Sequence, residues 1–309
     1  MRFLKYLFVF IFLFITQANA AVLIPGNILA TQNNQLREYD RNGVLVSTLD
    51  IPHPDTMRYR ATDVVVDENG LIHVLNTSIF SNSYLSTYNL RNNSWQHTEV
   101  DLFLGDISTG DLSISGNKIY TKSQIINLND YSVVDIDTSN FEFPRIEEIV
   151  VGGDGNLHAI DNTTSISGIR TFNLDDNGFP IGSVERVELS DENGSNIDAR
   201  GLVVLSEQRS FVADWNGNIY EYNGQNDLLN VIDSGTSRFN NLDFDMSETL
   251  LGSTAFGDIF LYNIMSGENS IFKIGNSQAY SAFVPNTPIP LPPAFFLFLT
   301  SLLGLTLCK

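Results

Sequence analysis

The sequence predicts an all-β fold, a six-bladed β-propeller closed by pairing of the C-terminal strand with the N-terminal blade. From Gly26 to about Ile274, short runs of β-branched and aromatic residues are separated by Asn-Gly, Asp-Gly and similar turn pairs. A unit of four such runs recurs along the chain. The first unit lacks its inner strand, and a run near the C-terminus supplies one.

Five complete units each begin with an apolar inner strand and continue through a hairpin into three further strands. They begin in TDVVVDENGLIHVLN from Thr62, GDLSISGNKIYTKSQIINL from Gly110, EEIVVGGDGNLHAIDN from Glu147, RGLVVLSEQRSFVAD from Arg200 and NLDFDMSETLLGST from Asn241. Turn signals such as DRNG, DENG, GGDG and DWNG supply the residue with positive φ that a tight hairpin requires. The units therefore have the composition of propeller blades.

The remaining blade is predicted to be split between the two ends of the body. The stretch from Gly26 to Ile51 supplies three strands, and AYSAFVPN from Ala279 supplies one. Their pairing would close the ring and leave no open sheet edge. A two-sheet sandwich is the alternative, since it also uses short strands with regular turns, but it does not require a repeated unit split in this way.

The inner strand followed by a D-x-x-G-x-[IL]-[HY] hairpin carries a family resemblance. DENGLIH (Asp67 to His73) and GDGNLH (Gly153 to His158) match this pattern best. The body is similar in this respect to the six-bladed propellers of the NHL-repeat, strictosidine-synthase and gluconolactonase-like superfamily. The resemblance covers most of the body and implies the fold rather than an activity.

The first 20 residues have the composition of an export signal. Arg2 and Lys5 precede the apolar run Leu7 to Ile15, and Ala18-Asn19-Ala20 precedes Ala21. This pattern predicts a signal peptide over residues 1–20 that is cleaved between Ala20 and Ala21, with an uncleaved N-terminal anchor as the alternative. The propeller is then predicted over residues 21–285.

The body is strongly acidic. All 36 Asp and Glu residues lie between the two apolar ends, and only Arg2, Lys5 and Lys309 of the 17 Lys and Arg residues lie outside it. The body therefore carries a formal charge of −22, which disfavours binding to nucleic acid and favours cations. The single cysteine, Cys308, lies near the C-terminus, so the body has neither a disulfide nor a thiolate nucleophile.

Candidate binding residues lie where the inner strands begin, around the predicted central channel. Alignment of the five units puts Asp63, Asp111, Glu148, Gly201 and Asn241 at equivalent positions, with Arg200 directly before Gly201. The predicted ligand or metal residues are accordingly Asp63, Asp111, Glu148, Asn241 and Arg200. Their oxygen ligands suit calcium, and the resemblance to gluconolactonase-like propellers implies a divalent ion in this channel. The alternative is that these residues cap strand starts or hold water.

No catalytic residue is indicated. The four histidines lack the spacing of a zinc site, and His73 and His158 occupy equivalent positions in two units, which favours a structural role in the hairpins. Neither a G-x-S-x-G motif nor a phosphate-binding loop occurs.

The C-terminal segment, residues 286–309, carries the most specific motif of the chain. IPLPPAFFLFLTSLLGL, from Ile289 to Leu305, resembles the PEP-CTERM sorting signal of Gram-negative bacteria. The matching pattern is a proline-rich stretch, an aromatic-rich apolar helix and an L-x-G-L end. The residues that we assign to the sorting motif are Pro288, Pro290, Pro292, Pro293, Gly304 and Lys309. The prolines predict an extended stalk, and Ala294 to Cys308 predicts a short transmembrane helix.

This resemblance implies processing by an exosortase, in bacteria that often produce exopolysaccharide and biofilm. The sequence departs from the family pattern in lacking the Glu of P-E-P and in having Lys309 in place of a basic cluster. A permanent C-terminal membrane anchor is the alternative. The expected route is export through the inner membrane, transient anchoring there by the C-terminal helix, and then the cell surface or secretion.

These observations favour an exported cell-surface or extracellular-matrix propeller that acts as a binding or structural module. Its expected partners are an exosortase, the export machinery and an extracellular polysaccharide or surface protein. The alternative function is a metal-dependent lactonase, hydrolase or lyase that uses the acidic residues of the channel. A purely structural scaffold is a third class.

Overall fold

The structure is a computed structural model that describes residues 23–52, 60–77, 83–100, 112–136, 146–162, 166–245 and 248–285. Within these ranges the chain forms 24 strands and no helix. The strands form six four-stranded antiparallel sheets, each of which is one blade of a propeller. The all-β, six-bladed prediction is therefore confirmed.

The blades follow one another along the chain. The strands of blades 1 to 3 are β1 (Ile28–Gln32), β2 (Gln35–Tyr39), β3 (Leu45–Asp50), β4 (Arg60–Val66), β5 (Ile72–Thr77), β6 (Ser83–Asn89), β7 (Ser94–Val100), β8 (Ser113–Ser115), β9 (Lys118–Tyr120), β10 (Gln124–Asn127) and β11 (Val133–Asp135). Those of blades 4 to 6 are β12 (Ile146–Val151), β13 (Leu157–Asp161), β14 (Gly168–Leu174), β15 (Pro180–Glu188), β16 (Ala199–Ser206), β17 (Arg209–Asp214), β18 (Asn218–Asn223), β19 (Leu228–Asp233), β20 (Phe239–Phe244), β21 (Thr249–Thr254), β22 (Asp258–Asn263) and β23 (Asn269–Lys273). The last strand, β24 (Tyr280–Phe283), belongs to blade 1.

Blade 1 joins the two ends of the body. Its strand order is β24-β1-β2-β3, so the C-terminal strand is the inner strand of the N-terminal blade. The β1–β24 register pairs Ile28 with Phe283 and Thr31 with Tyr280. The backbone N–H of Val284 donates to the carbonyl of Asn27 at 2.8 Å, which extends the pairing beyond β24. The predicted closure of the ring is thus observed, and the sandwich alternative is wrong.

The hairpin turns are held by an Asp at their first position. Asp67 accepts hydrogen bonds from the backbone N–H groups of Asn69 at 2.9 Å and Leu71 at 2.7 Å. Gly70, in the same turn, has a φ of 77°, which a residue with a side chain rarely adopts. Equivalent bonds begin at Asp40, Asp175, Asp191 and Asp214. The Asp-x-x-Gly signals therefore encode the tight turns that set the strand register.

The hydrophobic core lies between blades rather than within one layer. In the described part of the chain it forms six clusters, and each cluster joins two neighbouring blades. One cluster packs Leu29 of blade 1 against Val64 of blade 2, and another packs Ile28 of blade 1 against Leu251 of blade 6. The packing therefore continues around a complete ring, with the inner strands β24, β4, β8, β12, β16 and β20 at its centre.

The two predicted targeting segments lie outside the described residues. These are the signal peptide with its Ala20–Ala21 cleavage site and the C-terminal segment from residue 286. No helix in the described ranges is long and apolar enough to cross a membrane. The described chain ends at Pro285, two residues after the strand that closes blade 1.

Candidate functional site: the central channel

Four of the six inner strands share a bulge close to their first residues. The register shifts by one residue in β4, β12, β16 and β20, between Ala61 and Asp63, Ile146 and Glu148, Ala199 and Gly201, and Phe239 and Asn241. Four of the aligned positions, occupied by Asp63, Glu148, Gly201 and Asn241, thus follow the bulge in their strands. The fifth, Asp111, lies outside the described residues.

The glycine at one of these positions is required by close packing. A Cβ atom on Gly201 would lie 2.8 Å from the backbone nitrogen of Leu242 in the next inner strand. Because real Cβ atoms do not approach backbone so closely, β16 and β20 would have to separate to accept any side chain. This position therefore contributes no functional group to the channel.

Asp63 is buried and bridges two blades. Its side chain is 2% exposed; Oδ1 accepts a hydrogen bond from the N–H of Val64 at 2.7 Å, and Oδ2 accepts one from the N–H of Leu112 at 2.8 Å. Burial raises the pKa of Asp63 to about 7, although these two bonds oppose the rise, and the nearby charge of Asp243 adds to it. Asp63 thus combines a structural bond with titration near neutral pH.

Asp243 repeats this arrangement in blade 6 and was not predicted as a site residue. Its Oδ1 accepts from the N–H of Phe244 at 2.7 Å, and its Oδ2 accepts from the N–H of Phe283 in β24 at 2.8 Å. Burial raises the pKa of Asp243 to about 6; the two backbone bonds oppose the rise, and the charge of Asp245 contributes to it. A sequence signal existed, because Asp243 follows Asn241 by two residues and residues so spaced on a strand share a face.

Other polar side chains near the channel also bond to the next blade. Asn241 donates from Nδ2 to the carbonyl of Ser281 at 2.9 Å, and Ser113 accepts from the N–H of Val151 at 2.8 Å. With Asp63 and Asp243, these bonds join blade 2 to 3, 3 to 4 and 6 to 1. The polar groups therefore satisfy backbone groups that the sheets leave unpaired around the channel.

A cavity of about 670 Å³ extends along the channel. Its lining begins at Asp63, Glu148 and Asn241 and continues along the inner strands to their C-terminal ends, where Glu68 and Pro285 contribute. Between these ends the wall includes Val65, Ile114, Val150 and Ala282. The cavity is therefore acidic near the start of the inner strands, and its wall is rich in aliphatic side chains. It reaches the face of the propeller at which the inner strands end, which we call the strand-end face.

The predicted metal ligands do not converge in the described residues. No group of three or more His, Cys, Asp or Glu side chains there is arranged to hold a metal ion, and both oxygens of Asp63 already accept backbone hydrogen bonds. Calcium binding stays a prediction, since one of its proposed ligands, Asp111, lies outside these residues.

Arg200 lies in the bulge of β16 and is paired with acidic residues. Its Nη1 lies 2.6 Å from Oε2 of Glu147, which is buried, and its Nη2 lies 3.1 Å from Oδ1 of Asp198. The guanidinium also lies 4.8 Å from the ring centroid of Trp215. Arg200 is therefore held on the strand-start face, the face at which the inner strands begin, by contacts with blades 4 and 5.

The two equivalent histidines make the same contact with a threonine in blades 2 and 4, but they differ in their distance from the aspartate of the turn. Nδ1 of His73 lies 2.9 Å from Oγ1 of Thr87, and Nδ1 of His158 lies 3.0 Å from Oγ1 of Thr171. On the other ring nitrogen, His158 contacts Asp154 at 3.0 Å, and Nε2 of His73 is 3.7 Å from Asp67. Burial acts to raise the pKa of Asp67 and Asp154, but bonds from the histidines and backbone outweigh it and lower both.

The Asp-His-Thr order resembles a catalytic triad in chemistry. His158 and Thr171 border a cavity of about 180 Å³, whereas the same trio in blade 2 is buried. The repetition of the trio in a buried setting favours the structural role: in both blades the histidine contacts the threonine of the next strand, and in blade 4 it also bonds to the aspartate of the hairpin turn.

Comparison with known proteins adds support for the fold. No protein-family model matches the chain, and no curated protein matches it. Among solved structures, TolB from Acinetobacter baumannii has a TM-score of 0.62 at 13% identity over 84% of this chain and 67% of that one. U3-55K has a TM-score of 0.52 at 9% identity, covering 81% of this chain and 79% of that one.

A third similar structure is the extracellular domain of the one-component system BT4673 from B. thetaiotaomicron. Its TM-score is 0.50 at 17% identity, over 80% of this chain and 32% of that one, so this chain spans about a third of its length. At identities this low the similarity extends to the architecture and not to the activity. The chain therefore shares the β-propeller fold with proteins of different kinds.

Proposed function

We propose that this protein is an exported binding module of the cell surface or extracellular matrix, and that its ligand occupies the central channel. The observation that carries the proposal is the cavity of about 670 Å³ on the propeller axis. Its volume lies within the range of about 300 to 1,000 Å³ typical of ligand sites, and its lining combines aliphatic side chains with carboxylate, amide and hydroxyl groups that could orient a ligand. The ligand is an extracellular polysaccharide or a surface protein.

The binding role agrees better with the channel than an enzymatic one. Asp63, Asp243 and Asn241 are engaged in bonds between blades, so a reaction that moved them would loosen the ring. Binding requires only that the cavity remain open.

Export and exosortase processing form the second part of the proposal. The predicted N-terminal signal and the resemblance of the C-terminal segment to a PEP-CTERM signal support it, and so does the position of the closing strand. In the part of the chain that the structure describes, all paired strands end before Pro285, so removal of the following segment would leave these strand pairs intact. Pro285, the last described residue, lines the cavity.

A variant that fills the cavity tests the binding role. Val65→Trp places an indole among the lining residues, and Val134→Trp adds the same ring to the outer strand β11, where Val134 is exposed. The probes are the extracellular polymer and the surface-protein fraction prepared from cells that produce the protein. We expect the wild type and V134W to sediment with one of these probes and V65W to bind at least tenfold less. Binding of V65W at the wild-type level, or no binding by the wild type, would refute the proposal.

A further inference from the structure

A row of alternating guanidinium and aromatic groups crosses blades 5 and 6 on the strand-start face. The guanidinium of Arg200 lies over Trp215, that of Arg238 lies 5.1 Å from the ring centroid of Trp215, and the same Arg238 group lies 5.2 Å from that of Phe256. We call these four residues the cation-π row. Such contacts between guanidinium groups and rings fix the orientation of flexible arginine side chains.

The backbone beneath this row is held by a chain of hydrogen bonds. The N–H of Trp215 donates to the carbonyl of Asp198 at 2.8 Å, the N–H of Arg238 donates to that of Trp215 at 3.0 Å, and the N–H of Ala255 donates to that of Arg238 at 2.9 Å. These bonds link the turns of two blades to the residue that precedes β20. The side chains of the row are therefore presented from a rigid base.

Arg238 holds an unfavourable backbone conformation within this row. Its φ is 62°, in the left-handed region that residues other than glycine, asparagine and aspartate rarely occupy. A glycine would serve the turn better, as it does at Gly217 and Gly257 in the neighbouring turns, where φ is 97° and 78°. An unfavourable conformation retained at an exposed arginine points to a role for its side chain.

Charge distinguishes the two arginines of the row. Arg200 is paired with Glu147 and Asp198, whereas in the described ranges no carboxylate lies within 4.0 Å of Arg238. Arg238 is exposed, and the adjoining Phe256 is 41% exposed. In a chain with 36 acidic and 17 basic residues, an oriented arginine of this kind is suited to a carboxylate brought by a ligand.

We propose that Arg238 and Phe256 bind a carboxylated sugar, such as a uronic acid residue of an extracellular polysaccharide. The planar guanidinium presents paired N–H donors to a carboxylate, and the exposed ring of Phe256 offers an apolar face for the sugar ring. This inference rests on the proposed binding function, but it uses the strand-start face, where the inner strands begin, and not the cavity. A short acidic peptide shares the carboxylate but lacks the sugar ring.

Calorimetric titration of the full-length protein with trigalacturonate tests the inference, and its fully methyl-esterified form is the uncharged control. A short oligomer limits the general repulsion from the acidic body. We expect the acid to bind at least tenfold more tightly than the ester. Tetraglutamate is expected to bind at least tenfold more weakly than trigalacturonate.

Arg238→Gly is the decisive variant, since it removes the guanidinium group and replaces Arg238 by a residue for which a positive φ is not unfavourable. We expect its affinity for trigalacturonate to fall at least tenfold while its melting temperature stays within about 3 °C of the wild type or rises. Phe256→Ala is expected to weaken binding at least threefold, and Arg91→Ala, at another exposed arginine, is expected to leave it unchanged.

Equal binding of acid and ester, wild-type affinity of R238G, or tighter binding of tetraglutamate would overturn the assignment. If the native polymer binds through the cavity while trigalacturonate does not bind, this inference fails and the proposed function stands. If the wild type binds neither the polymer, the surface-protein fraction nor trigalacturonate, both fail.

Discussion

The carboxylate of Asp63 in blade 2 accepts a hydrogen bond from the backbone N–H of Leu112 in blade 3 at 2.8 Å, across 49 residues of sequence. Asp243 makes the same contact from blade 6 to Phe283 of the closing blade, also at 2.8 Å. Hydrophobic packing holds neighbouring blades together face to face, and these bonds join their inner strands at the channel. The integrity of the ring and the chemistry of the channel therefore depend on the same side chains.

Loss of the Asp63 carboxylate is predicted to destabilise the ring. Asp63→Ala leaves the buried N–H groups of Val64 and Leu112 without their acceptor, at a cost of about 2 to 4 kcal/mol. Urea unfolding followed by tryptophan fluorescence measures the change, with Asp176→Ala in an exposed turn as the control. A loss of less than about 0.5 kcal/mol in D63A, on the order of a typical surface substitution, would contradict the structural role.

The raised pKa values of Asp63 and Asp243 predict a stability that decreases from pH 5 to pH 7. Their folded-state values are about 7 and about 6, above the usual value for Asp of about 3.9. The stabilisation is therefore complete below about pH 4 and is lost as pH rises through the folded values. Each site should contribute a decrease of about 1.4 kcal/mol per pH unit in the range where only the folded state keeps its proton.

Urea unfolding at pH 5, 6 and 7 tests this dependence. Asp63→Asn and Asp243→Asn remove one titrating group each, so each should reduce the slope of unfolding free energy against pH. Unchanged slopes in both variants would show that the pH dependence arises elsewhere.

A calcium ion and the observed backbone hydrogen bonds would require the same side-chain oxygens of Asp63. Because both of its oxygens accept backbone N–H bonds, we expect calcium at about 1 mM to shift the melting temperature of metal-stripped protein by less than about 1 °C. Differential scanning fluorimetry measures the shift in the wild type and in D63N. A shift of several degrees that D63N abolishes would instead favour the ion site around Asp63, Asp111, Glu148 and Asn241.

The two Asp-His-Thr networks are predicted to stabilise the blades without taking part in chemistry. Thr87→Val and Thr171→Val remove the hydroxyl that meets Nδ1 of His73 or His158, at a cost of about 1 kcal/mol each and more at the fully buried His73. Urea unfolding measures both changes. A variant that lost ligand binding or a hydrolytic activity with unchanged stability would contradict this role.

The closing strand is predicted to be essential, and the residues after it dispensable for folding. A chain that ends at Gln278 lacks β24, so β1 loses its partner from Ile28 to Thr31. We expect circular dichroism to show no cooperative thermal transition for this chain. A chain that ends at Pro285 should melt within about 2 °C of the full-length protein. Equal melting of both chains would show that β24 does not close the ring.

The sequence predicted the blades because their determinants are local. An Asp at the start of a turn and a Gly at positive φ specify a hairpin within five residues, as Asp67 and Gly70 do. The split blade was also predictable, because the first unit lacks one strand and the isolated last strand can supply it, which closes the ring. These features are visible without knowledge of the tertiary structure.

The chemistry of the channel was only partly predictable, because it depends on contacts between blades. Alignment found Asp63 and Asn241, but Asp243 was missed because its partner, Phe283, lies 40 residues away in the closing strand. The cation-π row was also missed. Trp215 and Phe256 look like turn residues in the sequence, and only the packing of two blades brings Arg238 between their rings.

Intact-mass spectrometry of the mature protein, recovered from the surface and medium of the cells that produce it, tests the central claim most directly. An exported propeller released by an exosortase should begin at Ala21 and end within the proline-rich stretch between Pro285 and Pro293, with the complete ring retained. A mature chain that still ends at Lys309, or one that still begins at Met1, would contradict the account.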